Sequence, residues 1–312
     1  MCRRSSRVLA NVCYAVHHLA EACESHDAEG NNVDTTPLSK HFVAFLNLLA
    51  AVARSPQWKE QNLRSAAYEA IGALIRCGAK DTVPSVLEVL PHLLQQLAST
   101  FQMSASDDVG RDNLQQNLCL VIHLSVLKIE SLVTKQNPGS GNMLADDIMT
   151  LLLQVLDNRD LFCLLEALMC VQAIANAMDP GEDEEGQPPK QRPFVKYLPR
   201  LVPPLVRALA SHDEYEVCTV AVGCASDVAR AAGSQFTPFA DGIVAELVKS
   251  IEDQYMDRIV KVSQGFHLSP VLHRPAPSRP VRGLHACRAA LAVALNLICS
   301  LISTNQSSIS HI

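Results

Sequence analysis

QNLRSAAYEAIGALIRCGAKDTVPSV, residues 61–86, decides the fold class of this chain. Its first part predicts an amphipathic helix, because Leu63, Ala67, Ile71 and Leu74 recur at helical spacing and form one apolar face. The polar side chains that fall off this face are Asn62, Arg64, Ser65 and Glu69. Residues 78–81, Gly-Ala-Lys-Asp, predict a corner after which a second helix begins. The segment therefore predicts a helix–corner–helix unit.

Units of this kind recur along the 312 residues. The pattern predicts helices near 5–25, 37–54, 61–77, 82–101, 111–134, 142–156, 159–178, 194–210, 214–232 and 237–252. Alternate helices recur about every 48–56 residues, slightly longer than the roughly 40–47 residues of HEAT repeats. Insertions at 26–34, 103–110 and 179–192 supply the excess. One helix pair cannot bury its apolar face alone, so the pattern predicts an all-α solenoid of stacked antiparallel helix pairs.

Composition agrees with this fold. Hydrophobic residues make up 48% of the chain but aromatic residues only 4%, so the core is expected to consist of Leu, Val, Ala and Ile. Such side chains suit closely packed helices. No strand-like alternation persists long enough to predict a sheet.

The charge is unevenly distributed. Residues 1–257 carry 20 basic and 32 acidic side chains, a net charge of −12, whereas no Asp or Glu follows Asp257. An acidic body of this size repels nucleic acid and favours basic protein partners, although solubility alone also explains it. The acidic run at 182–185 has the same two interpretations, a contact for a basic segment or a solvated loop.

Signatures of catalysis and metal binding are missing from the sequence. It contains no GxSxG, Walker or HExxH motif, and its eleven cysteines form no CxxC pair. His17 and His18 are interpreted as ordinary helix residues without a carboxylate–metal pattern. We therefore expect no enzyme activity, no cofactor and no metal, and we expect reduced thiols.

Three stretches carry a resemblance to a known family: NLRSAAYE with the following AKD corner, RVLANVCYAVHHLAEA at 7–22, and EYEVCTVAVGCASDVARA at 214–231. In this order they resemble the importin-β family of nuclear import receptors. The resemblance implies a right-handed HEAT-repeat superhelix that takes part in protein import through the nuclear pore. It also implies a location in the cytoplasm, the nucleus and the nuclear envelope at pores.

The resemblance further implies a binding surface along the second helix of each pair. In the family this concave surface holds basic segments, including that of the adaptor importin-α, through acidic, amide and aromatic side chains. A solvated face or a half-buried tyrosine is the alternative interpretation of these positions. The candidate adaptor- or cargo-binding residues are Tyr14, Glu21, Asn62, Ser65, Glu69, Asn113, Gln116, Asp160 and Glu166.

Other partners follow from the same resemblance. The family binds phenylalanine-glycine nucleoporins in apolar grooves between outer helices, and it binds Ran GTPase chiefly through N-terminal repeats that this chain lacks. Neither nucleic-acid binding nor membrane insertion is expected; the apolar stretch at 289–303 is shorter than the roughly 20 residues of a membrane span. The alternative function is a HEAT scaffold such as a phosphatase regulatory subunit.

The predicted domain organisation has three parts. Residues 1–26 are expected to be the second helix of a truncated repeat, and 27–261 to hold four to five HEAT repeats. The resemblance ends near Lys261, and 262–312 are expected to be an aberrant, largely disordered tail. Since every valine codon begins with the GT of an intron start, a translated intron beginning at Val262 is our hypothesis for this tail.

Overall fold

The computed structural model describes residues 2–27, 29–30, 32–55, 62–103, 108–137, 139–157, 161–181, 190–211 and 214–252. Within these ranges the chain is helical and has no strand; its extended pairing is limited to the single bridges His26–Asn32 and Gln136–Met143. The helices are α1 (Cys2–Ala22), α2 (Phe42–Ala53), α3 (Leu63–Cys77), α4 (Val83–Thr100), α5 (Asp108–Ile129), α6 (Leu144–Asp157), α7 (Leu161–Ala177), α8 (Leu198–Leu209), α9 (Tyr215–Ala232) and α10 (Ala240–Glu252). Each predicted helix is confirmed. The predicted tail, 262–312, lies outside the described residues.

The described chain forms two compact units that divide between residues 177 and 178. In the first unit, α1, α3, α5 and α7 pack successively against one another, while α2, α4 and α6 each pack against the helix that follows. The first unit is therefore a stack of antiparallel pairs with an inner row, α1, α3, α5 and α7, and an outer row, α2, α4 and α6. This is the arrangement of a HEAT-repeat solenoid.

The corner between α3 and α4 forms where the sequence predicted it. Helix α3 ends at Cys77, and a 3-10 turn at Lys80–Thr82 leads into α4, whose first turn contains Pro84. The amide groups of Lys80 and Asp81 donate to the carbonyls of Val33 and Asp34 at 3.0 and 3.1 Å. The corner is thus fixed to the loop that precedes α2.

Two local expectations need correction. Helix α2 begins at Phe42 rather than at Pro37, because Ser39 Oγ accepts the Thr36 amide hydrogen at 3.0 Å and a 3-10 turn occupies 39–41. Arg64, expected on the polar side of α3, is buried, and its Nη1 donates to the Gly110 carbonyl at 3.1 Å. The long stem lets the guanidinium link α3 to α5.

One glycine sets a close approach within the inner row. A Cβ atom at Gly72 would lie 2.8 Å from Leu124 Cδ1, so the leucine of α5 covers the backbone of α3 at this point. The contact lets the C-terminal half of α5 lie close to the middle of α3.

The second unit contains α8, α9 and α10, with α8 packed against both of the others. Arg192 anchors its N-terminal segment, because Nη1 donates to the Arg230 carbonyl at 3.0 Å and Nη2 to the Gly181 carbonyl at 3.2 Å. Gly233, at φ +56°, ends α9 beneath the same guanidinium. No helix in the described part of the chain has the length and apolar character that a bilayer crossing requires.

Candidate binding face

Helix α3 of the inner row presents a narrow polar surface. Along α3, which is described throughout, every residue is buried except Ser65, Glu69 and Arg76. These side chains are spaced four and seven residues apart, so they lie on one side of the helix, and Gly72 fills the intervening position. We call the surface formed by such side chains on α1, α3, α5 and α7 the inner face.

The stripes on α5 and α7 continue this inner face. On α5 it includes the half-exposed Asn113 and Gln116, and Leu120 and Leu124 follow at helical spacing. On α7 the half-exposed side chains include Glu166, Met169 and Gln172. The face is therefore mixed, with amides and carboxylates beside exposed aliphatic groups.

Ser65 is the centre of a hydrogen-bond network between α3 and α5. Its Oγ accepts from Asn113 Nδ2 at 3.3 Å and from Asn117 Nδ2 at 3.4 Å, and Asn117 also donates to Asn113 Oδ1 at 3.2 Å. The sequence predicted Ser65 and Asn113 but missed Asn117. The i, i+4 spacing of the two asparagines on a helix was the available signal.

Glu69 lies beside α1. Burial raises the pKa of its carboxyl above the ordinary value, and the nearby charge of His17 opposes this rise. A basic ligand that approached Glu69 would pair with a carboxylate that has already lost part of its hydration. Such a pair is stronger than a fully solvated one.

Glu166 has the most perturbed carboxyl of the predicted set. Burial raises its pKa from 4.5 to about 7, and Oε2 has no hydrogen-bond partner among the described residues. The charge of Glu166 acts on the buried thiols of Cys119 and Cys170, whose pKa values are raised chiefly by burial. Burial therefore favours the protonated form of this side chain.

Glu21 is engaged within the chain. Its Oε1 lies 3.1 Å from Arg76 Nη2, while Arg76 Nη1 lies 3.4 Å from Glu24 Oε2. Partial burial raises the pKa of Glu21, but the hydrogen bond from His18 and the charges of His17 and Arg76 outweigh it, so the pKa lies below the ordinary value. The sequence did not predict Arg76, because its partners are more than 50 residues away in the chain.

The remaining predicted residues have different surroundings. Tyr14 is 44% exposed on α1, a position from which its ring can meet a ligand. Asn62 is exposed in the left-handed conformation, φ 54°, just before α3 and makes no side-chain cap. Asp160 lies outside the described residues, as does the acidic run at 182–185.

An apolar groove lies on the opposite side of the first unit, between the outer helices α4 and α6. Its volume is about 1040 Å³. Aliphatic lining comes from Leu87, Pro91, Leu94, Ala98, Leu132, Leu144 and Leu151. One end is polar, where Asp147 Oδ2 accepts from Asn137 Nδ2 at 2.6 Å and from Ser140 Oγ at 2.5 Å. We call this feature the outer groove.

Only one group of three metal-ligating side chains comes together in the described part of the chain. It consists of His17, His18 and Glu21 on α1.

Comparisons with known proteins agree with this architecture. A family model for importin subunit beta-1-like TPR repeats matches residues 2–264. The helix pairs are longer than the 34 residues of a tetratricopeptide repeat, since successive inner helices begin at residues 63, 108 and 161. Importin subunit beta-1 of Arabidopsis thaliana is 30% identical over 257 residues, which cover 81% of this chain and 27% of that protein.

Solved structures share the fold. A crystal structure of importin β in an ammonium sulfate condition superimposes with a TM-score of 0.68 at 20% identity, covering 97% of this chain and 36% of the other. The chain in the Kap95:Nup1 complex gives a TM-score of 0.60 at 18% identity and covers 94% and 34%. The chain thus spans about a quarter to a third of the length of these three relatives.

Proposed function

The chain belongs to the importin subunit beta-1-like family, and from this membership we propose that it acts as part of a nuclear transport receptor. Its inner face binds a basic segment, either an import signal or that of the adaptor importin-α. The mechanism is non-covalent recognition by carboxylate, amide and aromatic side chains. Protein import into the nucleus is the process it serves, and its location is the cytoplasm, the nucleus and the nuclear pores.

One observation carries this proposal: α3, buried almost throughout, exposes a single stripe that contains predicted polar residues and continues onto α5 and α7. On α3 that stripe holds Ser65 and Glu69, and on α5 and α7 it continues through Asn113, Gln116 and Glu166. Half-buried carboxylates at both ends of this row favour a cationic ligand, because a pair formed there is less screened than one in open solvent.

The outer groove supports a second partner of the same receptor. Its apolar walls and volume suit phenylalanine side chains from nucleoporin repeats, and the homologous fold has been solved as a Kap95:Nup1 complex. Ran GTPase is a partner of the intact receptor under this proposal. A phosphatase-type scaffold needs neither the acidic stripe nor the groove, and family membership favours the transport role.

Binding of a fluorescent basic peptide tests the inner-face role. We expect affinity to fall steeply as salt rises, because the contacts are between partly exposed charges. The double variant Glu69→Lys/Glu166→Lys should weaken binding by about tenfold or more, at roughly 1 kcal/mol per reversed contact. The double variant Glu69→Gln/Glu166→Gln removes the two negative charges without placing a positive charge at a half-buried position. Circular dichroism checks that each variant keeps its helical fold.

The matched control is Glu88→Lys/Asp157→Lys, which changes the net charge equally but at exposed positions on α4 and α6. It should leave peptide affinity within about twofold of the unmodified chain, since surface charges away from the contact are screened. Equal losses in both double variants would mean that net charge alone attracts the peptide. No loss in either would remove the inner face from the proposal.

A further inference from the structure

We propose that His17, His18 and Glu21 form a binding site for a divalent transition metal of the zinc, nickel or cobalt type. The three residues occupy positions i, i+1 and i+4 of α1, and one ligand atom from each lies within 4.8 Å of the other two. The sequence interpretation missed this arrangement because it treated the two histidines as lacking a carboxylate. Glu21, one turn further along the helix, supplies it.

The separations between the Glu21 carboxylate oxygens and the two imidazole nitrogens are close to those of tetrahedral coordination. Glu21 Oε1 lies 3.5 Å from His17 Nε2, and Glu21 Oε2 lies 3.3 Å from His18 Nδ1. Zinc bonds of about 2.0–2.1 Å to nitrogen and oxygen place tetrahedral ligand atoms about 3.3 Å apart. All three ligands come from one helix, and their ligand atoms lie within 4.8 Å of one another, so the rotations that would close the site are small.

One histidine of the site is buried in the protein and the other is exposed to solvent. The side chain of His17 is 9% exposed, and its Nδ1 has no hydrogen-bond partner among the described residues, so Nε2 is the ring nitrogen that meets a polar neighbour. The side chain of His18 is 74% exposed and leaves a path for the ion. Two imidazoles and one carboxylate leave a fourth position for water, as in other sites with this ligand set.

The nearest competing group is Arg76. Its Nη2 contacts the same Glu21 Oε1 at 3.1 Å, so the guanidinium and the metal compete for this oxygen. Arg76 keeps a second acceptor in Glu24, at 3.4 Å, when Glu21 turns to the metal. Together the two carboxylates offset much of the added positive charge.

Thiol ligands are not required. Cys77 Sγ lies 3.6 Å from Glu24 Oε2, but burial raises the pKa of Cys77 to about 12 and keeps it a thiol at neutral pH. The proposed ligand set is therefore nitrogen and oxygen, which imidazole-binding metals accept.

The test is calorimetric titration of the full 312-residue chain with Ni²⁺ and Co²⁺, with the Co²⁺ complex also followed by absorption. We expect His18→Ala and Glu21→Gln each to weaken the tightest site by about tenfold or more. Arg76→Met should tighten it several-fold by removing the competing cation. The matched control is His92→Ala, an exposed histidine on α4 that should leave the titration unchanged.

Since His18 is exposed, its replacement should not disturb folding, and circular dichroism checks this. Binding by His18→Ala and Glu21→Gln equal to that of the unmodified chain would show adventitious ions only and overturn the proposal. Cys23, a partly exposed free thiol, directly follows α1. An intense thiolate-to-cobalt charge-transfer band that disappears in Cys23→Ser would also overturn the proposal, because the ligand would then be sulfur. The metal titration does not depend on the proposed function, so the metal site can be confirmed even if the inner face binds no basic peptide.

Discussion

Replacing Glu166 by glutamine should stabilise the folded chain in a strongly pH-dependent way. Burial raises the pKa of this carboxyl from 4.5 to about 7 in the folded state. At about 1.4 kcal/mol per pH unit, this rise corresponds to about 3 kcal/mol of unfolding free energy. Glutamine has nearly the same shape but does not ionise, so it avoids this cost.

The direction in which the unfolding free energy changes with pH depends on whether the folded or the unfolded chain binds the proton more tightly. Between pH 4.5 and about 7 the folded chain keeps a proton on Glu166 that the unfolded chain has already lost. The unfolding free energy therefore falls as pH rises through this window, and the full cost is present above pH 7. Glu166→Gln should match the unmodified chain near pH 4 and exceed its unfolding free energy by about 3 kcal/mol near pH 8.

Urea denaturation at several pH values, followed by circular dichroism, measures this difference. The matched control is Glu88→Gln, which removes the charge of an exposed carboxyl on α4. A stability difference for Glu166→Gln that stays constant from pH 4 to pH 8 would refute the assignment of a buried, proton-retaining carboxyl. So would a loss of stability at pH 8.

Further predictions concern the helix end, the internal ion pair and the outer groove. Gly233→Ala should lower the unfolding free energy by at least about 1–2 kcal/mol, since φ is +56° and the new Cβ would lie 2.5 Å from Arg192 Nε. Its control is Gly242→Ala, at a position on α10 where the new Cβ would make only ordinary contacts. This control should be neutral or stabilising in the same urea assay. Arg76→Met should raise the affinity for a basic peptide, because Glu21 and Glu24 lose their internal cation; an anisotropy titration that shows unchanged affinity would place both outside the binding surface. Ala98→Trp should fill the outer groove and abolish the binding of a phenylalanine-glycine peptide observed by NMR, while leaving the basic peptide bound; persistent NMR shifts would move that partner elsewhere.

The helices were predictable from sequence because their apolar spacing is regular and their corners carry glycine and proline. Helix α2 began later than expected, since the Ser39 hydroxyl stabilises a 3-10 turn that no hydrophobic pattern reveals. The polar stripe on α3 could also be predicted from the sequence, because Ser65 and Glu69 interrupt a run of apolar residues. The raised pKa of Glu166 on α7 could not be predicted in this way, since it depends on how deeply neighbouring helices bury that carboxyl.

Contacts between distant segments were equally hidden. Arg76 meets Glu21 and Glu24 across more than 50 residues, and the outer groove exists only because α4 and α6 pack side by side. Such features depend on distances that residue spacing along one helix does not encode. The family resemblance predicted which helices carry the binding surface. The ion pairs that Arg76 forms with Glu21 and Glu24 on that surface became visible only in the structure.

Arg192 has a consequence for engineering the second unit. Its hydrogen bond to the Gly181 carbonyl joins Gly181 and Arg192, so the part of the chain that connects these two residues starts and finishes at neighbouring points. Closing a loop costs only about 0.6 kcal/mol more for each doubling of its length. This position should therefore accept a protease site, an epitope or a small reporter domain at little thermodynamic cost.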